Sequence, residues 1–255
     1  MIVRLLFAVA ALATFADAQP AFEVASIKQN TSGDRWESVS KPAGGRFTVK
    51  NATVAWLVRT AYRVEPFQVT GLPPWASSER YDVVAKAADP DATLDQMRQM
   101  LQTLLAARFQ MSSHREMKPQ PVFALVVAKN GPKLARAKTD TCTDSTMARP
   151  CGGFRIANRS SMWGDTVTVK QLAGELTYMM QRMVLDKTGI QGLYDIKITW
   201  TPEHFGPEPG AEVKPDEANA TLFTSIQEQL GLKLQSEKAP VETIVVDRVS
   251  RPVEN

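Results

Sequence analysis

Thr53-Val54-Ala55-Trp56-Leu57-Val58-Arg59-Thr60-Ala61-Tyr62 and Thr168-Val169-Lys170-Gln171-Leu172-Ala173-Gly174-Glu175-Leu176 decide the fold. In the first stretch apolar residues fall at 54, 57, 58, 61 and 62; in the second they fall at 169, 172, 173 and 176. Both patterns are the stripe of an amphipathic helix. Each opens with a Thr whose hydroxyl can cap the helix. Thr53 corresponds to Thr168, an offset of 115 that holds along both stretches.

Outward from these helices the echo continues. Upstream, Gly44-Gly45-Arg46-Phe47-Thr48-Val49 parallels Gly152-Gly153-Phe154-Arg155-Ile156, each with the alternation of a strand. Downstream, Val69-Thr70-Gly71-Leu72 parallels Lys187-Thr188-Gly189-Ile190. Arg80-Tyr81-Asp82-Val83 likewise parallels Leu193-Tyr194-Asp195-Ile196. These read as two strands joined by a Gly-containing turn. Thr93-Leu94-Asp95-Gln96 has the form of a capping box and opens a second helix with Leu94, Met97, Leu101, Leu104 and Leu105 on one face. Thr221 is expected to cap its counterpart, with Leu222, Phe223, Ile226 and Leu230 apolar and Gly231 as the stop. Two strands should end each half, at 109–116 and 121–128 and at 232–237 and 240–247.

The expected fold is therefore α+β, with two tandem β-α-β-β-α-β-β repeats, mixed or antiparallel sheets, and helices packed on one face. Each repeat spans about ninety residues, enough for a modest core. The expected division is a leader at 1–18, then an N-terminal strand plus first repeat at 19–135. A linker at 136–165 and a second repeat at 166–255 follow. Phe22, Val24 and Ile27 supply the N-terminal strand.

Composition narrows the function classes. Of 255 residues, 44% are hydrophobic and 22% charged, with 14 Gly and 16 Pro, which excludes collagen, coiled-coil and disordered classes. The net charge of +3, from 30 basic and 27 acidic residues, is too even for a dedicated nucleic-acid binder. With 2 His and 2 Cys, a His-based metal centre has almost nothing to be built from, and no cofactor is expected.

Residues 1–18 read as a secretory signal peptide. Arg4 supplies the positive start, residues 5–15 the apolar region, and Ala16-Asp17-Ala18 the small-x-small cleavage site, so that Gln19 opens the mature chain. A membrane anchor is the alternative, but the run falls short of the ~20 apolar residues needed to span a bilayer. The expected product is a periplasmic or secreted protein with no transmembrane segment. In an oxidising compartment Cys142 and Cys151, nine residues apart, form a disulfide by default. The alternative is a metal or a reactive thiol; a metal would need His114 and His204 as partners from distant segments.

Most chemistry-bearing motifs fail on context. Asp186-Lys187-Thr188-Gly189 has the letters of the phosphorylated-aspartate motif of P-type ATPases, but neither the pump's helices nor its nucleotide domain is present. Its Thr-Gly recurs as Thr70-Gly71, which points to a turn requirement. Ser38-Val39-Ser40-Lys41 with Lys187-Thr188-Gly189 has the S-x-x-K and K-T-G order of penicillin-recognising enzymes. The Ser-Asp-Asn element is absent, and the Ser precedes a Pro/Gly loop rather than opening a helix. Asp82 and Asp195 could be a carboxylate pair for acid/base work, but their shared repeat position favours a structural role. The basic run 133–138 reads as a solvated edge, with an anionic wall polymer as the alternative.

Three segments break the repeat: 73–77, 160–165 and 201–219. The first two carry Trp75 and Trp163 in expected loops, each either a cap over the core or a contact residue for a partner or sugar-like ligand. Trp75, Trp163, Asp186 and Lys187 are the candidate binding residues; no catalytic residue is assigned.

Several stretches resemble an uncharacterised secreted family. They are Phe22-Glu23-Val24-Ala25-Ser26-Ile27-Lys28, residues 101–109, residues 122–134, Asp186-Lys187-Thr188-Gly189 and Gln229-Leu230-Gly231-Leu232-Lys233-Leu234. That domain of unknown function is abundant in soil bacteria and occurs alone or attached to BlaR-type membrane sensor metallopeptidases. The resemblance implies export and assigns no activity. Each half is also similar, at fold level, to the short N-terminal modules of secretins and TonB-dependent transporters, which bind other periplasmic proteins.

The expected function is an exported, non-enzymatic binding module of the bacterial envelope, taking an envelope protein or cell-wall component through strand edges and Trp loops. One alternative is an envelope hydrolase or penicillin-type sensor using Ser38, Lys41 and Lys187. Another is a small-ligand receptor with its site between the halves.

Overall fold

The computed structural model describes residues 19–34, 36–39, 43–139, 141–142, 151–157, 160–201 and 220–252. The leader at 1–18, Lys41, His204 and residues 202–219 of the Pro/Glu-rich segment lie outside the described residues. The fold is α+β with mixed and antiparallel sheets. Two compact units form. One draws on the described parts of Met1–Arg63, Gly71–Ser113 and Val246–Asn255, the other on Val64–Thr70 and His114–Val245.

In the first unit, β1 (Val24–Gln29), β2 (Ser38–Val39) and β3 (Arg46–Thr53) lead into α1 (Val54–Tyr62). After β4 (Val69–Thr70), which belongs to the other unit, come α2 (Trp75–Ser78), β5 (Arg80–Lys86) and α3 (Leu94–Arg108). The sheet order is β1-β5-β3-β2, antiparallel throughout. Thr53 Oγ1 accepts the Trp56 N–H at 3.1 Å, and Thr93 and Gln96 close a capping box, so both helices start where the sequence places them. Leu57 and Val58 of α1, Leu101 and Leu105 of α3, and Val49 and Val83 of the sheet are fully buried. Phe109 packs edge-on against Tyr81, with ring centroids 5.5 Å apart.

The second unit holds β4 and most of β6 (Ser112–Val127), then β7 (Ala135–Arg136), β8 (Arg155–Ala157), β9 (Ser161–Val167) and α4 (Val169–Met180). It continues with β10 (Val184–Asp186), β11 (Tyr194–Thr199), α5 (Ala220–Leu230) and most of β12 (Leu232–Arg248). One sheet has the order β7-β11-β9-β8, the other β10-β6-β12-β4. Leu172, Leu176, Ile196, Ile198, Leu222, Ile226 and Leu125 share one buried cluster.

Three local expectations are corrected. The strand pairs expected at 109–116 and 121–128, and at 232–237 and 240–247, are single long strands, β6 and β12. Pro119, Pro121 and Pro240 break neither, because among the described residues each lies where one flank carries no paired strand. β10 pairs β6 only at Phe123–Leu125, and β4 pairs β12 only at Ile244–Val245. A missing N–H costs nothing on an open flank. Second, the Gly turns do not close hairpins. β4 runs parallel to β12 and β10 parallel to β6, so strands from each sequence half enter the same sheet. Residues 71–79, with α2 among them, are too long a connection for a tight hairpin. Third, α5 begins at Ala220, so Thr221 sits inside its first turn and not at the cap.

One device appears in both units. Asn51 (φ 60°) and Thr166 (φ 56°) adopt left-handed backbone at irregularities in β3 and β9. Each N–H is taken by an Asp on the neighbouring strand: Asp82 Oδ1 at 2.9 Å and Asp195 Oδ1 at 3.1 Å. These carboxylates thus hold strained backbone in place. Asp195→Ala is expected to lower stability by roughly 1–3 kcal/mol, read by urea unfolding, because it leaves the Thr166 N–H unsatisfied. Asp195→Asn keeps an acceptor and should lose less.

Candidate functional site

Strand alternation builds a cross-strand row on one sheet of the second unit. Met162, Gly164, Ile196 and Ile198 are buried, so the intervening positions point to the opposite face. There Trp163 of β9 stands in register with Arg155 of β8 on one side and Lys197 of β11 on the other. Cross-strand neighbours bring their Cβ atoms to roughly 5 Å, so the register sets an aromatic residue between two basic ones. Trp163 and Arg155 are half-buried and Lys197 is exposed. The expected loop at 160–165 is mostly strand. Gly164 makes this possible, since an added Cβ would lie 2.5 Å from the Gly153 carbonyl oxygen.

The disulfide between Cys142 and Cys151, with Cα atoms 5.4 Å apart, braces this row. Cys151 bridges to Asp165, whose carbonyl accepts the Gly152 N–H at 2.9 Å. Gln171 Nε2, at the start of α4, donates to the Gly152 carbonyl at 2.8 Å. The staple therefore ties the segment before β8 to β9 and to a helix. Reduction should cost about 2–3 kcal/mol by the loop-entropy account. A melting curve with and without dithiothreitol measures this, and Cys142→Ser should reproduce the reduced value.

The other candidates lie elsewhere. Trp75 begins α2, and its ring is covered by Arg251, the guanidinium carbon lying 5.1 Å from the centroid. Arg251 makes a bidentate pair with Glu79 at 2.5–3.0 Å, and Tyr81 donates its hydroxyl to the same carboxylate at 3.0 Å. The Arg251 hydrogen bonds hold the Glu79 carboxyl below its ordinary range. A depressed carboxyl contributes stability above its unfolded pKa and loses it as pH falls through the folded value. Melting temperature should therefore drop on acidification below about pH 4.5, and Glu79→Gln should flatten that part of the profile.

Asp186-Lys187-Thr188-Gly189 is a turn. Asp186 Oδ1 accepts both the Thr188 N–H at 3.0 Å and its hydroxyl at 2.7 Å, and Gly189 has φ 68°. Lys187 donates to Glu237 at 2.6 Å. Ser38 is exposed on the two-residue β2, paired with Lys50 rather than at a helix start. The sequence reading did not find Arg155 or Lys197, whose link to Trp163 depends on register. It also passed over Glu175 of α4, whose carboxyl is pushed up by burial and by the charge of Glu65.

The molecule so defined is an α+β protein with no helix, among the described residues, long and apolar enough to cross a membrane. Its chain matches the family described as "Protein of unknown function (DUF3738)" over residues 55–249 and belongs to that family. No curated protein and no solved structure matches it.

Proposed function

We propose that the protein is an exported, non-enzymatic binding module of the bacterial envelope, and that the Arg155–Trp163–Lys197 row takes an acidic cell-wall glycan. The row is the observation that carries this reading. An indole offers a flat apolar surface to a sugar ring, and cations on either side suit a carboxylate on that ring. The reading of residues 1–18 as a signal peptide and the disulfide both fit export. The left-handed residues at 51 and 166, held alike by Asp82 and Asp195, support an origin by duplication. Resemblance of each half to periplasmic interaction modules supports binding over catalysis, as does the engagement of Lys187 by Glu237. Co-sedimentation of the purified protein with peptidoglycan sacculi tests the proposal. Pelleting with sacculi, competed by soluble polygalacturonate, is the expected result. Turnover of a wall substrate, abolished by one polar substitution, would replace it with an enzymatic reading.

A further inference from the structure

The sheet of the first unit has one face on its core and one open. Ile27, Phe47, Val49, Val83 and Ala85 fill the inner face. The register places the alternate residues together on the outer one. Val24, Lys86 and Arg46 form one row, Ser26, Val84 and Thr48 the next, and Lys28 pairs with Asp82. Lys50, paired with Ser38, extends this face toward β2. Lys28, Arg46, Lys50 and Lys86 are all exposed. Among the described residues none of these four forms an ion pair. The one carboxylate in the rows, Asp82, accepts from the Asn51 N–H and from Asn30 Nδ2 at 2.7 Å.

Apolar side chains are interleaved with these cations. Val24 is 64% exposed and Val84 43%. Trp36 is 81% exposed, and its carbonyl is fastened by Asn51 Nδ2 at 3.1 Å, beside Lys50. Glu23, Asp34 and Glu37 are the acids flanking Val24 and Trp36 in sequence. A solvated polar face does not account for two exposed valines set among four cations, with an almost fully exposed indole at the β2 end of the same sheet. A glycan would reward the cations and leave the valines in water. A lipid headgroup region rewards both, since Lys and Arg meet anionic phosphates while Trp and aliphatic groups enter the acyl boundary.

We propose that this open sheet face docks the protein peripherally on a membrane of anionic phospholipid. The site is separate from the Trp163 row and does not rest on it. Co-sedimentation with phosphatidylglycerol/phosphatidylcholine vesicles, and with phosphatidylcholine alone, tests it. The protein should pellet with the mixed vesicles and stay in solution with the neutral ones. Lys28→Glu with Lys86→Glu should weaken the partition constant about tenfold or more. Trp36→Ala should weaken it several-fold and remove a blue shift in indole fluorescence. All three side chains are exposed, and an unchanged melting temperature verifies the fold. Trp163→Ala should leave vesicle binding as it is. No pelleting of the wild type with mixed vesicles would overturn the proposal. So would pelleting indifferent to the double reversal, or binding to polygalacturonate through Lys28 and Lys86 in place of vesicles.

Discussion

Gly231→Ala is expected to destabilise the fold by roughly 3–5 kcal/mol, which places it among exceptional single substitutions. Two effects add. Gly231 has φ 64°, a region where a Cβ is disfavoured by about 1–2 kcal/mol. A Cβ there would also lie 2.1 Å from the Gly131 carbonyl oxygen and 2.9 Å from the Lys133 nitrogen. Both obstacles are backbone, and that backbone is itself bonded to the helix end. Lys133 donates its N–H to Leu230 at 2.8 Å, and the Gly231 carbonyl accepts the Ala128 N–H at 2.9 Å. The turn cannot yield without breaking those bonds. Gly189→Ala isolates the conformational part, since φ is 68° with nothing within 4 Å; it should cost only about 1–2 kcal/mol. Urea unfolding of both variants reads the difference. Equal losses would mean that the 128–133 turn moves freely.

The second large effect falls on binding. Trp163→Ala should reduce affinity for an acidic wall glycan by about thirtyfold or more, the loss usual for an aromatic anchor flanked by polar contacts. Arg155→Glu and Lys197→Glu should each weaken binding less, and should flatten its salt dependence, because their contribution is charge rather than contact area. Trp163→Phe keeps a ring and should retain a measurable part of the affinity. A binding loss shared by Trp163→Ala and by a surface variant remote from the row would point to unfolding instead.

The parts of this architecture written locally were legible. Thr53, Thr93 and Thr168 announce helices that the structure caps as read, because a hydroxyl and three following residues contain the whole interaction. The α+β class follows from those helices and the alternating strands. Long-range pairing was not legible. Pro119, Pro121 and Pro240 look like strand breaks in isolation, and only knowledge that β10 and β4 stop short of them shows why they are tolerated. The parallel pairing of β4 with β12 joins residues far apart in sequence, and no local signal encodes it. Trp163 was singled out by its residue type, yet its flanking cations follow from registers β8–β9 and β9–β11. Trp75 shows the converse. Its partner Arg251 comes from the far end of the chain, and the pair makes it a covered residue.

Trp163, between Arg155 and Lys197, is the proposed contact point for an acidic envelope glycan. Retention of wild-type and Trp163→Ala protein on purified sacculi, at matched melting temperature, tests it most directly. Wild type is expected in the pellet and the variant in the supernatant. Equal retention of the two proteins would contradict it.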